Sequence, residues 1–260
     1  MGGAGALPGL GDDEGDAGSG GGGGSSADNS GELPERVAAY VTSARATRLR
    51  IDIDAVAGLW PYASSKSHIA SFYSQLLDKP DGIELVEDET LEGIDANTEW
   101  TIAQLDALAR EHASEEQPGT ISIQVLALPG SYATQDGGTV LGVAWSQRFI
   151  ALFQDSLRSN CEGGGLAGLQ QDACEVAERN VWAHEIGHVI GLVDNGIPMQ
   201  TDHRDPDHGR HDVNEGCLMY WAYDRPQIFD TLLERLASGE GSDLELCEQS
   251  QADVEAARSR

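Results

Sequence analysis

The run "VWAHEIGHVIGLVDNGIPM", residues 181–199, constrains this chain more than any other stretch. Two histidines stand four apart inside an amphipathic segment, and on an α-helix positions i and i+4 lie one turn apart on the same face. His184 and His188 can therefore aim their imidazoles at one point, which makes a two-point metal clamp. Glu185 projects beside them, where a carboxylate reaches a metal-activated water without being a ligand itself. Gly191 follows three residues after His188 and can end the helix in a left-handed conformation, so the chain turns back and offers Asp194 as a third ligand. Three protein ligands leave one position open, the arrangement of a catalytic zinc rather than a structural one. The competing reading, a core helix with two histidines four apart by coincidence, would bury several titratable groups without compensation.

The segment "HEIGHVIGLVD" resembles the extended zinc motif of the metzincin metallopeptidases, HExxHxxGxxH/D, and the aspartate in its last place is similar to the snapalysin-like variant. Downstream, "GCLMYW" (216–221) supplies Met219 at a fair distance for the methionine turn that lies beneath the metal in that family. The resemblance covers about 40 residues closely and implies a zincin fold, one Zn2+, ligands His184, His188 and Asp194, and Glu185 as general base. It also implies that strand 139–145 is the edge that aligns an extended peptide, and that Tyr220 assists the metal. One departure is the loop "TDHRDPDHGRH", in which His203, His208 and His211 are further candidates for the third ligand, His203 first among them; solvent-exposed loop histidines are the plainer reading. A second resemblance fails on order. "EGCL" (215–218) is similar to the element that gives peptide deformylase a cysteine ligand, but there it precedes the HExxH helix and here it follows, which leaves Cys217 a minor candidate. The Asp-rich stretch 202–212 lacks the spacing of an EF-hand calcium loop.

The rest of the chain fits around this helix. Residues 1–31 hold 13 of the 32 glycines and five acids with almost nothing apolar to pack, which predicts a flexible tether ahead of one catalytic domain over 32–260. Residues 32–47 read as a capping helix or a propeptide remnant. The periodicities predict strands at 48–56, 82–88, 119–128, 139–145 and 148–154, with helices at 64–79 and 97–112, serines and Asn97 serving as caps. A glycine-rich loop, 161–171, should lead into the motif helix, started by Asp172 and Glu175. A polar loop over 193–225, a helix at 225–238 and a frayed one at 243–259 complete the chain. The expected class is α/β to α+β: a mostly parallel twisted sheet whose last hairpin adds an antiparallel edge strand.

Charge narrows the partners. With 44 Asp+Glu against 16 Lys+Arg, a net of −28, nucleic acid and anionic membranes are repelled. No 18-residue apolar run offers a membrane span, though the tether suits a surface-anchored protein. Four cysteines favour the sequence-local bridges Cys161–Cys174 and Cys217–Cys247 over four buried thiols, hence an oxidising, secreted or cell-surface location. The expected protein is a monomeric zinc endopeptidase acting on proteins or peptides. The alternative is a non-catalytic zinc-binding adhesion module in which a further histidine closes the fourth position.

Overall fold

In the computed structural model of the chain, the described residues are 32–134, 137–163, 170–238, 241 and 243–260. The expected tether, 1–31, lies outside them. The chain opens with helix α1 (Glu35–Val41), strand β1 (Arg48–Val56), helix α2 (Ala63–Leu76) and strand β2 (Ile83–Leu91). It continues through β3 (Glu99–Trp100), α3 (Ile102–His112), β4 (Thr120–Leu128), β5 (Ser131–Tyr132), β6 (Gly142–Trp145) and β7 (Phe149–Phe153). Helices α4 (Gln154–Gly163), α5 (Gln170–Ile190), α6 (Gln227–Ser238) and α7 (Glu248–Arg258) follow, with a 3-10 turn at Trp221–Asp224 between the last three.

The five-stranded sheet runs β2-β1-β4-β7-β6; β2, β1, β4 and β7 are parallel and β6 is antiparallel to β7 at the edge. Parallel strands must bury both faces. In β1 the odd residues Leu49, Ile51 and Ile53 join Ile123 and Val125 of β4 under α1, α2 and α5. On the opposite face Leu126, Phe149 and Phe153 pack with Leu105 and Ala109 of α3. That second face is partly polar: Asp54 is fully buried and accepts hydrogen bonds from the Gln124 amide and from Glu89 N–H at 3.1 Å.

The predicted class and strand pattern therefore stand, while several local expectations shift. Asn97 does not cap α3. Thr101 does, because its hydroxyl and the Gln104 side chain satisfy each other's backbone N–H groups in a capping box. The serines expected to cap α2 lie inside it, and Ser64 and Ser65 bond Glu175 of α5 instead. Helix α4 occupies 154–163, where the sequence pattern runs from strand directly into a glycine-rich loop. Helix α5 begins before Asp172, so its expected capping pair sits within the first turns. The disulfides are the sequence-local pairs, Cys161–Cys174 tying α4 to α5 and Cys217–Cys247 tying the loop after α5 to the start of α7, with Cα separations of 5.4 and 4.7 Å. Among the described residues no helix is long and apolar enough to cross a membrane.

Candidate metal centre

Helix α5 sets the geometry. It ends at Ile190 because Gly191 takes φ +101°, and Leu192 N–H reaches back to the Gly187 carbonyl at 3.0 Å, closing a Schellman-type turn. His184 and His188 face the same side with ring planes at 82°, and their Nε2 atoms are 3.0 Å apart. The third imidazole belongs to His211. Its ring stacks beside His184 at 5.2 Å, lies nearly perpendicular to His188, and brings its Nε2 to 3.2 Å from that of His188. All three rings are buried.

Hydrogen bonds fix which nitrogen each ring presents. His184 donates from Nδ1 to the Leu218 carbonyl at 2.7 Å, and His211 from Nδ1 to the His208 carbonyl at 2.6 Å. Both Nε2 atoms are then bare lone pairs aimed at His188. A proton on His188 Nε2 can satisfy one of them and leaves the other facing a like dipole; a cation satisfies all three. Zinc–nitrogen bonds of about 2.0–2.1 Å in a tetrahedral shell put ligand nitrogens about 3.3 Å apart, so the donor set fits that ion. Burial, followed by the neighbouring His184 and His211, holds His188 well below its ordinary pKa; burial and His211 bring His184 down to about 3 against the pull of the Leu218 carbonyl. Neutral imidazole is the form that binds a metal.

Glu185 lies on the same turn and is buried. Burial pushes its carboxyl well above the usual range, and the charge of Asp224 adds to the shift. Space for Glu185 comes from the edge strand: a Cβ on Gly142 would lie 2.8 Å from Glu185 Cγ and Oε1. Asp224 closes the same corner, its carbonyl accepting Leu141 N–H at 2.7 Å. Met219 is fully buried against helix α5, and its thioether packs so tightly against Gly187 that a Cβ there would collide with the sulfur.

The structure does not bring Asp194 to this cluster. Its backbone is left-handed at φ +58°, its side chain is half exposed, and its carboxylate accepts from Arg210 at 2.8 Å with Arg204 at 3.6 Å; two guanidinium groups hold it at the surface. His203, the first substitute, is buried elsewhere, with Asp212 on one ring nitrogen and Asp253 on the other. His208 pairs with Asp205 and stacks on Trp221, ring centroids 4.3 Å apart. Tyr220 turns its hydroxyl to Glu215 at 3.3 Å, and Cys217 is engaged in its disulfide. Among the described residues that could hold a metal, His184, His188 and His211 form the one group made wholly of free donors, since the other contains a disulfide sulfur, that of Cys247. Spacing alone could not choose among three loop histidines, and the contribution of Gly142 was legible only as a glycine interrupting a strand, a mark of close approach.

No family model matches the sequence, and no curated protein sequence matches it. The fold is similar to the crystal structure of archaemetzincin from Methanopyrus kandleri, with a TM-score of 0.51 and 15% sequence identity, over 83% of this chain and 98% of that one. At that identity the likeness is one of fold.

Proposed function

We propose that this chain is a zinc-dependent endopeptidase of metzincin type, with His184, His188 and His211 as ligands and Glu185 as general base. The observation that carries the reading is the convergence of three buried Nε2 atoms, successive pairs 3.0 and 3.2 Å apart, beside a buried carboxylate. The fold likeness to archaemetzincin, a protein named for the metzincins, supports it independently. The third ligand differs from the snapalysin-like expectation, since the donor comes from position 211 rather than from Asp194.

Zinc held by three imidazoles supplies a Lewis acid that polarises a peptide carbonyl and acidifies a water molecule. Glu185 receives that water's proton at its carboxylate and passes it to the leaving nitrogen. The Glu185 side chain fills the space that a Cβ on Gly142 would take, so the edge strand lies directly against the base. Strand β6 stands at the sheet edge beside α5, where an extended substrate can add alongside it. Two disulfides suit an oxidising compartment, and with them a secreted or surface-tethered enzyme.

The alternative, a zinc-binding adhesion module, requires a fourth protein ligand. The remaining loop histidines are engaged elsewhere: His203 has both ring nitrogens on carboxylates, and His208 pairs with Asp205 and stacks on Trp221. Elemental analysis should find one zinc per chain, and casein cleavage should stop on adding a chelator. Glu185→Gln should retain zinc and lose hydrolysis by a factor of about 100 or more. A fully active Glu185→Gln would sink the mechanism, and zinc without cleavage in the wild type would favour the binding module.

A further inference from the structure

His211 stands between two charged residues, and both are anchored. Arg210 is pinned to Asp194. Asp212 is pinned more deeply: its Oδ2 lies 2.6 Å from His203 Nδ1, while His203 Nε2 lies 2.9 Å from Asp253 Oδ2 on α7. All three side chains are buried, at 4%, 1% and 1% exposure. A carboxylate group thus faces each ring nitrogen of His203; burial alone would lower its pKa, but the hydrogen bonds to Asp253 and Asp212 raise it. The outer carboxylate oxygens are also engaged, Asp212 Oδ1 by Asn214 N–H at 2.8 Å and Asp253 Oδ1 by Gln200 N–H at 2.6 Å. Asp212 N–H donates to the Met219 carbonyl at 2.8 Å, which joins the triad to the methionine packed against helix α5.

A buried triad of titratable side chains is costly to desolvate, and apolar side chains of similar volume would hold two segments together at least as well. What the triad adds is direction. Its central carboxylate belongs to the residue after His211, and its far carboxylate comes from a helix 42 positions downstream of that histidine. We propose that His203 and Asp253 are positioning residues of the metal centre: Asp253 orients the His203 ring, which grips Asp212 and so fixes the His211 ring against His184 and His188. The C-terminal helix thereby becomes part of the site. The inference rests on the reading of His211 as a zinc ligand.

The test uses the full chain loaded with zinc, and separately with cobalt(II), whose visible spectrum reports ligand geometry. Zinc release to a chromophoric chelator is timed for the wild type, His203→Asn, Asp253→Asn and Lys79→Met. Lys79 is the control, an ammonium donating to the Ala39, Thr42 and Ala46 carbonyls, each at 2.7 Å. The expected result is zinc release about 10- to 100-fold faster in the His203 and Asp253 variants, with an altered cobalt spectrum. Lys79→Met should lower the melting temperature and leave both readouts unchanged. If His203→Asn does not fold, Asp253→Asn decides, because its single amide oxygen cannot accept from both His203 and Gln200 N–H as the two carboxylate oxygens do. Folded variants with wild-type release and spectra would overturn the positioning role, as would a Lys79→Met that releases zinc equally fast. A wild type that binds no zinc would instead remove the ligand assignment itself.

Discussion

At the scale of single residues, two glycines make room for the side chains of the candidate centre. Gly187 lies between the histidines of the motif, and a methyl group there would meet the Met219 sulfur and approach Leu192 Cδ1 at 3.3 Å. Gly187→Ala should cost about 1–3 kcal/mol in a urea melt, as overpacking does, and should weaken zinc binding because the packing of Met219 against the motif helix must shift. Gly142→Ala acts on the other partner. Its methyl would displace the Glu185 carboxylate while leaving the three imidazoles in place, so kcat should fall with zinc content unchanged. A Gly142→Ala enzyme with wild-type kcat would show that Glu185 is not held by the edge strand. The motif pattern marks His184, Glu185 and His188 from spacing alone, whereas these glycines take their meaning from neighbours 43 residues away in the case of Gly142 and 32 in that of Gly187.

Among elements, the regular ones were legible and the irregular ones carried the surprises. Strand β1 spans the predicted 48–56, and β4 falls within one residue of its predicted start, since their β-branched runs are bounded by turns. The helix at Gln170–Ile190 ends where Gly191 requires. The loop from 192 to 220 has no periodicity to read. Its shape comes from long-range ion pairs, Asp194 with Arg210 and Asp212 with His203, and from the Cys217–Cys247 bridge. Two arginines in reach hold the Asp194 carboxylate at the surface, and this is why it lies away from the three imidazoles. The bridge closes a loop of 30 residues, so replacing both cysteines by serine should cost about 2–4 kcal/mol. The loss should be larger than in the Cys161→Ser/Cys174→Ser double variant, whose bridge has a separation of 13. Differential denaturation of the two double variants checks the order.

Over the whole molecule the dominant fact is a net charge of −28. Buried carboxylates feel it most. Burial pushes Asp54 up to about 6 from 3.8, with the Asp88 charge adding to the shift and the Glu89 N–H opposing it. Between those values the folded chain holds a proton that the unfolded chain releases, so this group stabilises the fold at low pH and the benefit is lost as pH rises through 6. The buried His184 and His188 titrate with the opposite sign, so the informative quantity is the difference between the wild type and Asp54→Asn in metal-free protein. Asp54→Asn should gain on the wild type as pH rises from about 4 to 6 and then keep a constant margin; a pH-independent difference would show that Asp54 ionises normally. The same imbalance of charge leaves the chain two lysines, Lys66 and Lys79. Lys79 is enclosed by three carbonyl oxygens, whereas Lys66 reaches the surface beside Glu87. Amine-directed dyes, cross-linkers and immobilisation resins therefore meet one accessible lysine in the native domain, on a protein otherwise coated in acid.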